Sequence, residues 1–365
     1  MMRSRAFWSG LALAALVAAA ATFSAEWIAA SLLGLSGTPI SPIMLAIVLG
    51  MVVANVSTRT PAGTPGLRFA STTILRLGIV LLGFRLSLLA AGKFTLAALP
   101  FVVMAIAAGV SVVRLLGPRL GLSRTLAGLI AAGTSICGAT AIVATAPLIR
   151  ARQAEVTYAI SCITVFGIAA MFGYPILAHA MFGGQPELAG LFLGASIHET
   201  AQVAGAGAMY QVQYGAPLAL DVATVTKLVR NLSMLALIPL AGILFGETRS
   251  VDSPGARGWL RMIPWFVVGF AACSALRTLG DHGDPAFGLL DPGVWEAMVV
   301  FFRHAAEICL LLAMAGVGLQ TSFAGLRRIG LRPFLFGLFA AGVVGGVSLL
   351  LIAGFGSPAL DLVGY

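Results

Sequence analysis

His198 and Glu199 stand side by side in the stretch GASIHETAQVAGA (194–206), and Lys227 and Arg230 follow in TVTKLVRNLSM. An imidazole and a carboxylate supply proton exchange near neutral pH. Lys227 and Arg230, at i and i+3, fall on one face of a helix and offer two positive charges, with Asn231 adjacent. An earlier stretch, GTSICGATAIVATA (133–146), repeats the small-residue phrase. With a one-residue gap, both copies fit Gly-x-Ser-Ile followed by Thr-Ala-x-Val-Ala-x-Ala. The copies place Thr134, Ser135, Thr140, Ser196, Thr200 and Gln202 as neutral hydrogen-bonding groups, with Cys137 and Gly138 at the first turning point. Two readings compete. In one, the matched copies form a binding site in which Lys227 and Arg230 balance an anion while His198 and Glu199 carry protons or order a gate. In the other, the small residues only let helices pack closely, His198 and Glu199 are a buried pair tied to the backbone, and the two cations neutralise Glu199 and Asp221. For Cys137, a packing role competes with a reactive thiol.

A second charged stripe comprises Glu296, Arg303, His304 and Glu307, with Arg303 and Glu307 at pairing distance on a helix. Glu307 is a further candidate for coupling or gating. Arg85 and Ser87 in GFRLSL, with Gln320 and Ser322 in GLQTSF, are weaker candidates. The sequence holds no GxxxxGK[ST] phosphate loop, no metal-ligand cluster and no hydrolytic triad, so neither ATP drive, nor a cofactor, nor enzymatic chemistry is expected. The four cysteines lie in apolar segments without metal-ligand spacing.

Composition sets the environment for these groups. Of 365 residues, 59% are hydrophobic and 10% charged, and mean hydropathy is +1.00. Apolar runs long enough to cross a bilayer recur from end to end. The expected class is an all-α polytopic membrane protein with about 9–11 transmembrane helices. Spans are expected near 7–24, 40–57, 70–91, 94–117, 155–182, 218–246, 258–278, 294–320 and 331–355. The motif segments 123–149 and 187–211 add to these. Residues 1–30 read as a first transmembrane helix or a signal-like segment. The net charge of +9 reports orientation and lipid headgroups rather than nucleic acid. With the N-terminus inside, the loops carrying Arg59 and Arg68, Arg114 to Arg124, Arg249 to Arg261, and Arg327 to Arg332 all fall in the cytoplasm, while Asp281, Asp284 and Asp291 fall outside.

Arg150 and Arg152 test this orientation. They fall inside only if 123–149 is a re-entrant hairpin, and 187–211 must then be one too, entering from the opposite face. The alternative is two crossed broken helices. Either way the chain is one membrane domain (1–365) with an inverted repeat, 70–182 against 187–355, and a site where the discontinuous segments meet near mid-membrane.

The phrases LLGFRLSL (81–88), AGTSICGATAIVAT (132–145), IHETAQVAGAG (197–207), KLVRNLSMLALIP (227–239) and AMAGVGLQTSF (313–323) resemble the YeiH-type bacterial inner-membrane proteins, a family that carries a sulfate-exporter label. They occur in the family's order and cover most of the chain from about residue 40. The resemblance implies a multi-spanning secondary-transporter-like protein of the plasma membrane, akin to cation–proton antiporters and anion symporters. It leaves the substrate open. Where the family's second motif often reads His-Glu-Val-Ala-Gln-Val, Thr200 replaces the first Val and adds a hydroxyl. The leading expectation is a secondary active transporter, in a homodimer, for a small anion, with sulfate or a sulfur oxyanion as first guess and a proton or sodium ion as coupling ion. Membrane lipid is the other expected partner. A cation–proton antiporter built on Glu199 is the alternative. A channel or a non-transporting sensor is the reading from another class.

Overall fold

The computed structural model describes residues 5–28, 31, 41–56, 65–246, 263–282, 286–321 and 331–365. Arg59, Arg249, Arg257, Arg261, Asp284, Ser322, Arg327 and Arg328, named above, lie outside the described residues. The chain is predominantly helical over these residues and polytopic, as its apolar runs require. In chain order the helices are α1 (Arg5–Trp27), α2 (Pro42–Val56), α3 (Pro65–Arg85), α4 (Leu88–Leu116), α5 (Arg124–Ser135), α6 (Ala139–Thr145), α7 (Gln153–Phe182), α8 (Pro186–Ser196), α9 (Thr200–Tyr214), α10 (Pro217–Leu232), α11 (Met234–Phe245), α12 (Trp265–Asp281), α13 (Pro292–Gln320) and α14 (Leu331–Leu362). Among the described residues, six helices are long and apolar enough to span a bilayer, and seven if α10 and α11, bent by 44° at Ser233, count as one span. The apolar α2 has only 15 residues.

Two boundaries differ from the sequence expectation. The break expected between 91 and 94 occurs at Leu86–Ser87. Leu86 is extended, and the Ser87 hydroxyl accepts the N–H of Ala90 at 3.2 Å, which starts α4 and leaves Lys93 inside it. The single span expected over 218–246 bends after Leu232.

The chain divides into two compact units. The first comprises residues 1–92, 207–221 and 265–324. Its core buries Ala14, Val17, Ala46, Leu67, Ala70, Ala315 and Leu319. Here α13 crosses α2 so closely that a Cβ at Gly50 would lie 2.9 Å from the Ala315 carbonyl oxygen, and one at Gly318 would collide with Ile47. Only glycine permits that approach. Gln320 reaches back to the Leu67 carbonyl (3.1 Å) and the Ser71 hydroxyl (2.7 Å), beside a π-helical turn over Ala70–Ile74.

The second unit comprises residues 93–206, 222–264 and 325–365 and contains both motif copies. The first copy doubles back. Gly133 packs on Ile142 and Gly128 on Ile149. At the base, the hydroxyls of Ser123 and Thr125, flanking the start of α5, donate to Glu155 near the start of α7 at 2.5 and 2.9 Å. A straight crossing would separate these ends by the length of two limbs, so α5 and α6 are the arms of a helical hairpin whose turn is 136–138. The α5 arm of 12 residues is about 18 Å long at 1.5 Å per residue, half a bilayer. The second copy also folds back. Along α10, Gly194 packs on Ala223 and Thr226, Ile197 meets Lys227, Thr200 meets Asn231, and Gly207 then packs on Leu220. The chain thus climbs α10 through α8 and descends it through α9.

The hairpin geometry returns Arg150 and Arg152 to the end of α5 that carries Arg124. Cysteines placed at Arg124 and Gln153, both exposed, are expected to react with an impermeant thiol reagent from the same face of the membrane. Labelling from opposite faces would restore the crossed arrangement.

Candidate functional site

The two hairpin turns meet on α10. A helix leaves its last carbonyls without intrahelical partners and carries about half a negative charge at that end. Both α5 and α8 end at the turns, and Lys227 and Arg230 receive those ends. The Lys227 ammonium donates to the carbonyls of Ile136 (3.1 Å), Ile197 (2.8 Å) and His198 (2.5 Å). Arg230 donates to Ser135 (3.0 Å), Ala195 (2.7 Å), Ile197 (3.1 Å) and Thr134. Both side chains have 0% of their surface exposed. An ammonium has three donors and a guanidinium five, so Lys227 is fully used and Arg230 nearly so.

This corrects one sequence expectation. Lys227 and Arg230 do not neutralise Asp221, which pairs with Arg85 in the first unit. Their hydrogen bonds hold the backbone of both turns, and only their charge reaches further. Glu199 interacts with Lys227 electrostatically. It also lies beside the first turn, 3.4 Å from where a Cβ of Gly138 would stand. Gly138 itself has φ +67° and ψ −128°, a conformation open almost only to glycine. Gly138→Ala is therefore expected to destabilise the protein by about 1–3 kcal/mol, the usual size of such backbone strain, read as a lowered thermal midpoint.

The expected hydroxyls separate into two groups. Thr134 and Ser196 spend their protons on the carbonyls of Ile130 (2.8 Å) and Phe192 (2.5 Å) in their own helices. Thr140 is exposed, beyond the turn. The Ser135 hydroxyl, by contrast, is buried without a partner, as are His198 Nδ1, Gln202 Oε1, Asn231 Oδ1 and Thr226 Oγ1. Thr200 accepts from Asn231 Nδ2 at 3.3 Å and keeps its own proton to donate. Gln202 Nε2 donates to the Thr164 carbonyl at 3.2 Å. Cys137 lies 3.3 Å from the Met234 sulfur and is buried, which fits the packing role. An apolar recess lined by Ser135, Ile136, Leu237, Leu240 and Phe245 adjoins the first turn. Unpaired buried polar groups are costly and therefore scarce; five of them fall on or beside the two turns.

The first unit holds a separate ionic cluster that the sequence reading underrated. Arg85 Nε lies 2.6 Å from Asp221 Oδ1 and Nη1 lies 3.6 Å from Glu307. Its Nη2 donates to Gln211 Oε1 (3.0 Å) and to the Pro217 carbonyl (3.2 Å). Glu307 thus faces Arg85, and the expected Arg303–Glu307 pair is not formed. The available signal was simple: Arg85 and Asp221 are opposite charges in apolar segments, where each needs a partner. Asp221→Ala, which leaves the nearly buried guanidinium with only the more distant Glu307 as a counter-charge, is expected to cost about 3 kcal/mol in a thermal unfolding comparison, and Arg85→Met/Asp221→Leu should recover most of it.

Comparison with known proteins supports the same placement. The family model described as Conserved hypothetical protein 698 matches residues 9–337. A UPF0324 membrane protein of Pseudomonas aeruginosa is 35% identical over 324 residues, covering 86% of this chain and 86% of its own. The UPF0324 inner membrane protein YeiH of Salmonella typhi is 32% identical over 352 residues, or 93% of this chain and 92% of its own. That of Escherichia coli K12 is 31% identical over 349 residues, again 93% and 92%. No solved structure matches the chain. The motif-bearing hairpins, the apolar spans and these relatives together identify the chain as a multi-pass inner-membrane protein of the YeiH-type UPF0324 family.

Proposed function

We propose that this protein is a secondary active transporter for a small anion, bound between the two hairpin turns and coupled to a proton on Glu199. The observation that carries the reading is the burial of Lys227 and Arg230, both 0% exposed, where the two turns meet. Intramembrane cations of this kind are expensive and usually mark a pathway. A charge count gives the reading its form. The two cations contribute +2, and at each turn the C-terminal end of one arm (about −0.5) meets the N-terminal end of the other (about +0.5), so the helix ends cancel. Ionised Glu199 leaves a total of about +1, and protonated Glu199 about +2. An anion is then welcome when Glu199 holds a proton, which is the logic of proton–anion symport. Ser135, Thr200 and the His198 ring supply hydrogen bonds to its oxygens.

With Glu199 protonated, the count balances an anion of one or two negative charges, which admits hydrogen sulfite, sulfite and sulfate. The inverted repeat, 70–182 against 187–355, and a homodimer belong to the same proposal. The direct test is counterflow in proteoliposomes. Vesicles preloaded with unlabelled sulfite or sulfate should accumulate labelled anion transiently, with saturable kinetics. Large, unsaturable anion conductance would mean a channel, and binding without flux a sensor. Accumulation driven only by a sodium gradient, with no anion moving, would favour the antiporter reading.

A further inference from the structure

The Lys227 ammonium has the surroundings of a bound cation. Its three acceptors are all backbone carbonyls, from Ile136 at the end of one hairpin arm and from Ile197 and His198 at the other. No side-chain carboxylate is among them. Unwound carbonyls and half-helix C-terminal ends are the groups with which discontinuous membrane helices coordinate monovalent coupling cations, because their partial negative charges converge there without a full counter-charge. We infer that these carbonyls form a monovalent-cation cradle that the chain fills with its own ammonium, so that no free sodium or potassium ion is needed at this position.

Two further features fit. The Ile197 carbonyl is shared with Arg230 Nη1 at 3.1 Å. A second full positive charge so close tolerates one unit of charge in the cradle and excludes a divalent ion. The ammonium arrives on the stem of α10, and α10 is held against the second turn by Gly194 and by the Asn231–Thr200 bond. The tethered cation is therefore always present at the site and locks the turns together without depending on the ionic composition outside. The inference bears on the coupling ion of the transport reading but stands on the cradle alone.

Lys227→Met tests it, because the thioether side chain is one atom shorter and leaves room at the ammonium position. The purified full-length variant would be melted in detergent with choline chloride, then with sodium, potassium or ammonium chloride at equal ionic strength. The wild-type midpoint should not distinguish these salts. The variant should melt lower in choline and recover about 3–5 °C in at least one small monovalent cation, the size mass action gives a ligand well above its dissociation constant. Lys227→Ala should respond in the same way to ethylammonium, which restores the missing end of the side chain. Equal midpoints in all salts for both variants would overturn the inference. So would a sodium response in the wild type that persists in Lys227→Met, and so would variants that fold in none of these salts. None of these results requires an anion to bind, so they stand apart from the transport reading.

Discussion

Arg230→Met is expected to lower the thermal midpoint of the purified protein by roughly 10 °C. The estimate combines a cost of about 3–5 kcal/mol for breaking a buried charged network with the few degrees that each kcal/mol moves a chain of this size. The guanidinium accepts no substitute of equal reach. It binds Thr134 and Ser135 on one turn and Ala195 and Ile197 on the other. Removing it leaves the Ile197 carbonyl to Lys227 and takes the guanidinium donor from the buried carbonyls of Thr134, Ser135 and Ala195, each with its own desolvation cost. Arg230→Lys keeps the charge but not the planar fork, so it should fall between the variant and the wild type. A midpoint for Arg230→Met within about 2 °C of wild type, a change worth no more than one ordinary contact, would mean that the turns are held by packing and not by this side chain.

Glu199→Gln should remove the pH dependence of anion binding. In the charge count, ionised Glu199 offsets one of the two positive charges of Lys227 and Arg230, and protonation releases it. Wild-type affinity for an anion should therefore rise as pH falls, once the ligand's own titration is allowed for. The amide fixes the neutral state, so the variant should bind at every pH about as tightly as the wild type does at its acidic limit. The two should differ by about tenfold or more at alkaline pH, where one full charge across roughly 4–6 Å of protein is worth more than 1.4 kcal/mol. Counterflow in the variant should persist, because it needs no net proton movement, while uptake driven by a pH gradient should disappear. A pH profile that is the same in both would move the proton elsewhere.

Much of this was legible in the chain. The apolar runs fix a membrane class, since a bilayer admits little else of this composition. The duplicated phrase points to two discontinuous segments, and the positive-inside bias at Arg150 and Arg152 already favours a hairpin over a crossing. Ser123, Thr125 and Glu155 supply the base of that hairpin, which periodicity does not reveal because hydrogen bonds between distant hydroxyls and carboxylates have no local pattern. Lys227 and Arg230 are recognisable as candidate site residues from charge in an apolar run. Their partners were not, because a backbone carbonyl has the same name at every position. That Thr134 and Ser196 bond within their own helices while Ser135 does not is likewise invisible in the sequence, because in a helix every hydroxyl has its own i−4 carbonyl within reach. Arg85 was discounted because its partners, Asp221 and Glu307, lie far away in sequence.

The most direct test is thermal stabilisation of the detergent-purified protein against a panel of anions and cations across pH. A ligand that binds only the folded state raises the midpoint by mass action. Sulfite, sulfate or a small carboxylate should raise it, more strongly at acidic pH; Ser135→Ala should weaken the shift and Glu199→Gln should make it independent of pH. If no anion moves the midpoint and sodium raises it in a way that Glu199→Gln abolishes, the anion site is wrong and the hairpin turns bind a cation instead.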